Sequence, residues 1–249
     1  MNIYKNYICK GLFVAHYGGL NNSAPEDTPS EKLYGQNSFV DTLSNYQFNV
    51  SPYSFFQVNS RGAETLYATA CEWTMEQLVN REKAILLDVC SGTGTIGLFM
   101  ADKVNKVIGI DISESACRDA ESNAKLNKIE NASFICGKAE KVLKELLKSE
   151  EIQNAGKNII AIVDPPRSGL HPSVLKALLR CESIERFVYV SCNPKTMLDN
   201  AILLYQPPSK YGEIPNPFKL TRSVCVDMFP HTNHCEMVCL FERVNKSND

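Results

Sequence analysis

The sequence predicts an α/β fold: a mostly parallel sheet covered by helices on both faces, closing in an antiparallel C-terminal hairpin and preceded by a small strand-rich remnant. Three observations lead there. First, Ile85-Leu86-Leu87-Asp88-Val89 is a short apolar run, and Cys90-Ser91-Gly92-Thr93-Gly94-Thr95-Ile96-Gly97 follows it directly. This reads as a buried strand, a glycine turn and the first turn of a helix, with main chain bare enough for a ligand to lie against it. Second, apolar runs and helical patterns then alternate regularly, which gives parallel strands with helical crossovers. Third, the last two strand-like runs are separated only by Phe229-Pro230-His231-Thr232-Asn233-His234-Cys235-Glu236, too short for the parallel crossover of about a dozen residues.

Taken in order, strand material is expected at residues 7–9 and 12–15, on either side of Gly11. Between 21 and 35 the composition turns to Asn, Ser, Pro, Glu and Asp, as in an exposed loop. Strand patterning resumes over 39–50. Residues 1–50 are therefore expected to be the end of a strand-rich domain, and 51–249 the main one. A helix over 60–79 places Ala63, Leu66, Ala70, Trp73 and Leu78 on one face. Strands follow at 85–89, 106–111, 132–136, 159–163 and 187–190, with helices at 96–103, 113–126, 138–147, 172–181 and 196–205. The Pro-rich stretch 206–217 closes no element, and the hairpin strands are expected at 220–228 and 237–242. In such a sheet ligands bind outside the carboxyl ends of the strands.

At 249 residues and 44% hydrophobic content the chain can bury one sizeable core. A net charge of -2 excludes a protein that coats nucleic acid non-specifically, so any RNA contact must be local. The ten cysteines are scattered through apolar elements without a secretory signal, which points to free thiols in a reducing, cytoplasmic setting. No apolar run reaches the length of about 20 residues that spans a bilayer. His231, His234, Cys235 and Cys239 are metal-ligand types, yet they lack a Cys-x-x-Cys half, and no metal is expected. No obligatory protein partner is evident.

Gly92-x-Gly94-x-x-Gly97, with Asp88 before it and Asp111 closing the next strand, suits either a dinucleotide or S-adenosylmethionine, Asp111 accepting the ribose hydroxyls. The terminal hairpin favours S-adenosylmethionine, because it is the usual methyltransferase ending. Ile162-Val163-Asp164-Pro165-Pro166-Arg167 ends the fourth strand of the series, its prolines fixing an extended backbone that holds Asp164 toward the site. Amino methyltransferases acting on adenine or cytosine carry a related Asp-Pro-Pro followed by an aromatic residue; here Arg167 follows. Val190-Ser191-Cys192-Asn193-Pro194 ends the next strand just before a helix, where Cys192 is placed as a nucleophile with a stabilised thiolate. A thiol that attacks a pyrimidine C6 makes C5 carbanion-like; once C5 is methylated a base must remove its proton, and Glu236 could do so.

Five ordered motifs, Ser51-Pro52-x-x-Phe55-Phe56-Gln57-Val58-Asn59, the glycine turn, Asp164-Pro165-Pro166-Arg167-x-Gly169-Leu170, Ser191-Cys192-Asn193-Pro194 and His234-Cys235-Glu236-Met237, resemble the RNA uracil-5 methyltransferase family over residues 39–244. The resemblance implies a Rossmann-like class I methyltransferase domain that uses S-adenosylmethionine to make 5-methyluridine, with the T-loop uridine of tRNA as the expected target. It implies Cys192 as nucleophile on C6, Glu236 as base, and Gln57, Cys90, Thr95, Asp111 and Asp164 as cofactor contacts beside Asp88 and Gly92. Asp111 stands where the family usually has glutamate, and Cys90 and Thr95 where bacterial members have an aromatic residue and asparagine. Family members also place an RNA-binding and a strand-rich domain ahead of the catalytic one, and this chain holds at most the tail of the second. Arg167, Lys195, Lys219 and Arg222 are expected as phosphate contacts near the motif-bearing strand ends. Two rivals stand beside this reading. A cytosine-5 methyltransferase would favour a Pro-Cys pair where the chain has Pro165-Pro166. A non-catalytic tRNA-binding or folding protein would keep its function in Cys192→Ala.

Overall fold

A computed structural model describes residues 9–18, 28–52, 55–76, 78, 80–214 and 216–244. Two antiparallel hairpins come first: β1 (Gly11–Ala15) with β2 (Ser30–Gly35), and β3 (Phe39–Leu43) with β4 (Tyr46–Val50). The expected loop over 21–35 is corrected at its end, since residues 30–35 form β2; every residue of that strand is exposed, so no buried face marks it in the sequence. Of the strand expected at 7–9, residues 7 and 8 lie outside the described residues, and Cys9 belongs to no element.

Helix α1 (Ser60–Met75) is capped by Asn59, whose Oδ1 accepts from Gly62 N at 3.0 Å. It ends short of the expected residue 79. The alternating series then runs β5 (Ile85–Val89), α2 (Thr95–Met100), β6 (Lys106–Asp111), α3 (Glu114–Leu126), β7 (Ala132–Cys136), α4 (Ala139–Leu146), α5 (Glu150–Ala155), β8 (Ile159–Val163), α6 (Pro172–Arg180), β9 (Ile184–Ser191) and α7 (Pro194–Tyr205). The hairpin strands β10 (Phe218–Val226) and β11 (Glu236–Arg243) close it. Helix α5 was not expected; its N-cap Ser149 accepts from Ile152 N at 3.4 Å.

The main sheet has seven strands in the order β10-β11-β9-β8-β5-β6-β7. Strands β5 to β9 are parallel, whereas β11 runs antiparallel to both β9 and β10. Side chains of one strand alternate between two cores: Ile85, Leu87 and Val89 pack with α4, α5, α6 and α7, while Leu86 packs with α1 and α2. The β3-β4 hairpin joins the second core through Leu43 and Phe48. Strands β6 and β7 are added on one side of β5 and β8 and β9 on the other, and at such a switch in strand order an open sheet leaves a crevice at its carboxyl edge.

Candidate active site

Asp88 lies on the same face of β5 as Leu86 and reaches α2, where its Oδ2 accepts from Gly97 N at 2.9 Å. A Cβ on residue 97 would stand 2.8 Å from that oxygen, so glycine is required for the close approach. Burial lifts the Asp88 carboxyl from 3.8 to about 7, the Gly97 bond opposing it only in part. Its Oδ1 is buried and has no hydrogen-bond partner.

The turn after β5 puts Cys90 at φ 65°, an uncommon state for a non-glycine residue. It is held there because the Cys90 and Ser91 amides both donate to Ile110 O, at 2.8 and 3.1 Å. Gly92 follows in the left-handed region, and a Cβ built on it would meet nothing within 4 Å, so open space borders the bare main chain. Asp111, at the end of β6, accepts from Gly92 N at 2.8 Å and from Ser113 N at 2.9 Å, which fixes both its oxygens while leaving further lone pairs. Thr95 opens α2 with its hydroxyl 3.3 Å from that of Tyr67. Gln57, just ahead of α1, is buried with its Oε1 unpartnered, as are the hydroxyls of Ser91 and Thr93.

On the other side of the crevice, Asp164 N donates to Val89 O at 3.1 Å, holding the start of the Asp164-Pro165-Pro166-Arg167 segment against β5. Strand β9 ends at Ser191, and Asn193 caps α7, its side-chain oxygen accepting from Lys195 N at 3.2 Å while its Nδ2 donates to Arg167 O at 2.9 Å. One cap therefore ties the two motif loops together. Strand β11 pairs Met237 with Ser191, so Cys192 and Glu236 are the next residues past that pair, at one corner of the sheet. Glu236 is only 3% exposed; burial lifts its carboxyl from 4.5 to about 7, against the pull of Arg167. Asp164 is raised well above the carboxylate range by burial, then by Glu236 and Asp88.

The thiolate stabilisation expected at Cys192 is corrected. Burial, Glu236 and Asp164 together push the thiol up, with Arg167 acting the other way. Two acidic neighbours and poor hydration are what act against ionisation of this thiol.

Of the four expected phosphate contacts, Arg167 and Lys195 are exposed beside this corner. The other two do not lie there. Lys219 stands opposite Glu242, which stands opposite Arg186 near the start of β9, at the far end of the sheet. Arg222 is ion-paired with Glu76 and lies 4.9 Å over the Trp73 ring. Two groups were missed in the sequence. Tyr67 reaches the turn from α1, and Asn200 accepts from Tyr189 Oη at 2.9 Å and from Leu170 N at 2.8 Å, anchoring the end of the Asp164 loop to β9 and α7. A tyrosine and an asparagine at helical positions carried no signal of these partners.

A doubly covered parallel sheet, a glycine turn after its first strand, an acid closing the second and an antiparallel last strand define a class I methyltransferase fold. Residues 35–244 match the model of the tRNA (Uracil-5-)-methyltransferase family, and the chain belongs to that family. It is 39% identical to human tRNA (uracil-5-)-methyltransferase homolog A over 237 residues, which are 95% of this chain and 36% of that protein. It is 42% identical to human homolog B over 220 residues, 88% of this chain and 42% of that one. Among solved structures, the Pyrococcus abyssi tRNA (uracil-54, C5)-methyltransferase in complex with S-adenosyl-L-homocysteine superposes with a TM-score of 0.69 at 29% identity, covering 94% of this chain and 50% of that one. The chain thus spans half or less of the length of these relatives.

Proposed function

We propose that this chain is the S-adenosylmethionine-dependent catalytic part of a tRNA uracil-5 methyltransferase, acting at the T-loop uridine, with residues 51–249 as the catalytic unit and the leading hairpins as the end of a strand-rich domain. The observation that carries it is the β9-β11 register, which brings Cys192 and the buried Glu236 together just past the Ser191–Met237 pair at the carboxyl edge of the sheet.

Cys192 adds to uracil C6, so that C5 gains carbanion character and takes a methyl group. Glu236 then accepts the C5 proton, and loss of the Cys192 thiolate restores the 5,6 double bond. Because burial raises the thiol, attack requires that its proton leave to solvent first, while Glu236 stays ionised for the later C5 proton. Arg167, whose charge opposes both upward shifts, favours the thiolate and the carboxylate alike.

The residues present suit S-adenosylmethionine. Gln57, Asp88, Ser91 and Thr93 hold buried oxygens in want of partners, and such orphans cost about 1–3 kcal/mol each unless a ligand or water satisfies them. Ammonium, amino and hydroxyl groups would satisfy them, Asp111 would take the ribose, and the open space at Gly92 admits a ligand along the main chain. When bound, the group supplies an electrophilic methyl. Arg167 and Lys195 would meet phosphates around a uridine that is turned out of its stack. The test is methyl-labelled S-adenosylmethionine with unmodified tRNA, followed by nucleoside digestion. Label in 5-methyluridine is expected; label in 5-methylcytidine, or none from protein that binds RNA, would refute the reading.

A further inference from the structure

Strand β4 has one edge paired with β3; on its other side it meets a helix rather than a strand. Asp119, Asn123 and Asn127 recur at intervals of four on α3 and its C-cap, so they share one helix face. Asn127 Oδ1 accepts from Gln47 N at 2.8 Å and its Nδ2 donates to Gln47 O at 2.6 Å. Asn123 Oδ1 accepts from Asn49 N at 2.7 Å, and Ser51 Oγ donates to Asp119 Oδ2 at 3.0 Å. A row of side chains thus supplies the partners that a neighbouring strand would give.

Asn123 does one thing more. Its Nδ2 donates to Thr93 O at 3.1 Å, inside the glycine turn, and the side chain is fully buried. One amide therefore spans the hairpin and the turn, and the hairpin leads on in sequence to Gln57, a cofactor contact in the proposed reading, whose Oε1 is buried without a partner. Among the described residues, the side-chain hydrogen bonds of Asn127 go to Gln47 on β4 and to Asn123 O in its own helix.

We propose that Asn123 is a positioning residue: it sets the glycine turn at a fixed distance from the β4 arm that leads to Gln57, so that both hold the same ligand. This rests on the reading of the turn as the S-adenosylmethionine site, and makes the β3-β4 hairpin part of that site's construction. Asn127 provides the internal comparison, having the same residue type, helix face and strand without the bond to the turn.

The experiment uses the full chain, S-adenosylhomocysteine as probe, and Asn123→Ala, Asn123→Asp and Asn127→Ala. Calorimetry gives affinity, amide hydrogen exchange over residues 92–97 without ligand gives the order of the turn, and thermal melting gives stability. Asn123→Asp keeps the acceptor for Asn49 N and removes the donor to Thr93 O, so it serves should Asn123→Ala fail to fold. Expected are an affinity loss of about tenfold and faster exchange of the turn in both Asn123 variants. Asn127→Ala should melt lower while keeping near-native affinity and turn exchange. Equal effects at 123 and 127, or unchanged turn exchange in Asn123→Asp, would overturn the proposal. If the wild-type chain bound no S-adenosylhomocysteine, the cofactor reading would fall, while the exchange comparison would still decide whether Asn123 orders the turn.

Discussion

The two ends of the main sheet use similar residues to opposite ends. At the start of β9, Arg243 donates to five carbonyls, those of Leu178, Leu179, Cys181, Ile184 and Asn216, at 2.6 to 3.0 Å, and lies 4.0 Å over the Phe218 ring. Nearby, Arg186 pairs with Glu242 at 3.1 Å and donates to Glu76 O at 2.6 Å, and Arg222 pairs with Glu76. At the carboxyl end, Asp88, Gln57, Ser91 and Thr93 keep buried oxygens without partners, and the Asp88 and Glu236 carboxyls are lifted to about 7. One end is satisfied from within, which closes it. The other is left short of donors, and that deficit gives a ligand something to supply.

The largest expected effect breaks the open end without touching the closed one. Cys192→Ala should lower methyl transfer by at least about a thousandfold, because the proposed route starts with its addition to C6, while the melting temperature stays within about 2 °C of wild type. Steady-state rates and a thermal scan on one preparation check both halves.

The converse substitution, Arg243→Ala, takes one donor from each of five carbonyls near the far edge, of which Leu178 O and Cys181 O keep a backbone donor. A loss of about 3–5 kcal/mol and a melting temperature lower by about 10 °C are expected, with transfer per folded molecule unchanged at low temperature.

The raised carboxyls give the pH dependence its sign. Glu236 moves from 4.5 to about 7, so above 4.5 the unfolded chain binds fewer protons than the folded one. Stability from this group is therefore complete below 4.5 and declines as pH rises through 7; Asp88, lifted from 3.8 to about 7, acts in the same sense. Glu236→Gln should remove part of that decline, on the order of 1–3 kcal/mol at pH 8, in denaturant titrations across the range. Activity runs the other way, since the base must be ionised: the wild-type rate should climb through about pH 7, and a rate that falls there would remove Glu236 from the proposed role.

The smallest effect is at Arg222. Its pair with Glu76 is solvent-exposed at the rim of the sheet, and Arg222→Ala should cost no more than about 1 kcal/mol in chemical denaturation.

How much was legible follows the same division. Asp88, Gly92, Asp111, Asp164, Cys192 and Glu236 stand at strand ends, and strand ends are marked locally by apolar runs, glycines and prolines, so sequence order alone brought them to one edge. The crossovers were legible because β5 and β8 are buried on both faces and read as short apolar runs, interrupted in β5 by Asp88. Strand β2 was not, as it buries nothing; α5, a single short charged helix, was lost for want of a pattern long enough to register. Asn123, Arg243 and Asn200 are polar residues whose burial is decided by partners distant in the chain, and nothing in their neighbours distinguishes them from solvated ones. Lys219 and Arg222 erred for a related reason: along a nine-residue strand, position in sequence does not reveal which end of the sheet a cation reaches until the register is known.

The most direct measurement offers the chain an RNA in which the target uridine carries fluorine at C5, together with S-adenosylmethionine. Fluorine cannot leave as a proton, so a C6 thioether formed by Cys192 should persist after methyl transfer and survive denaturing electrophoresis as a protein–RNA band. Wild type and Glu236→Gln should both give that band, and Cys192→Ala should give none. A band of equal strength in Cys192→Ala, or its absence from wild type that still makes 5-methyluridine in ordinary tRNA, would contradict the assignment of the open end of the sheet as the seat of this chemistry.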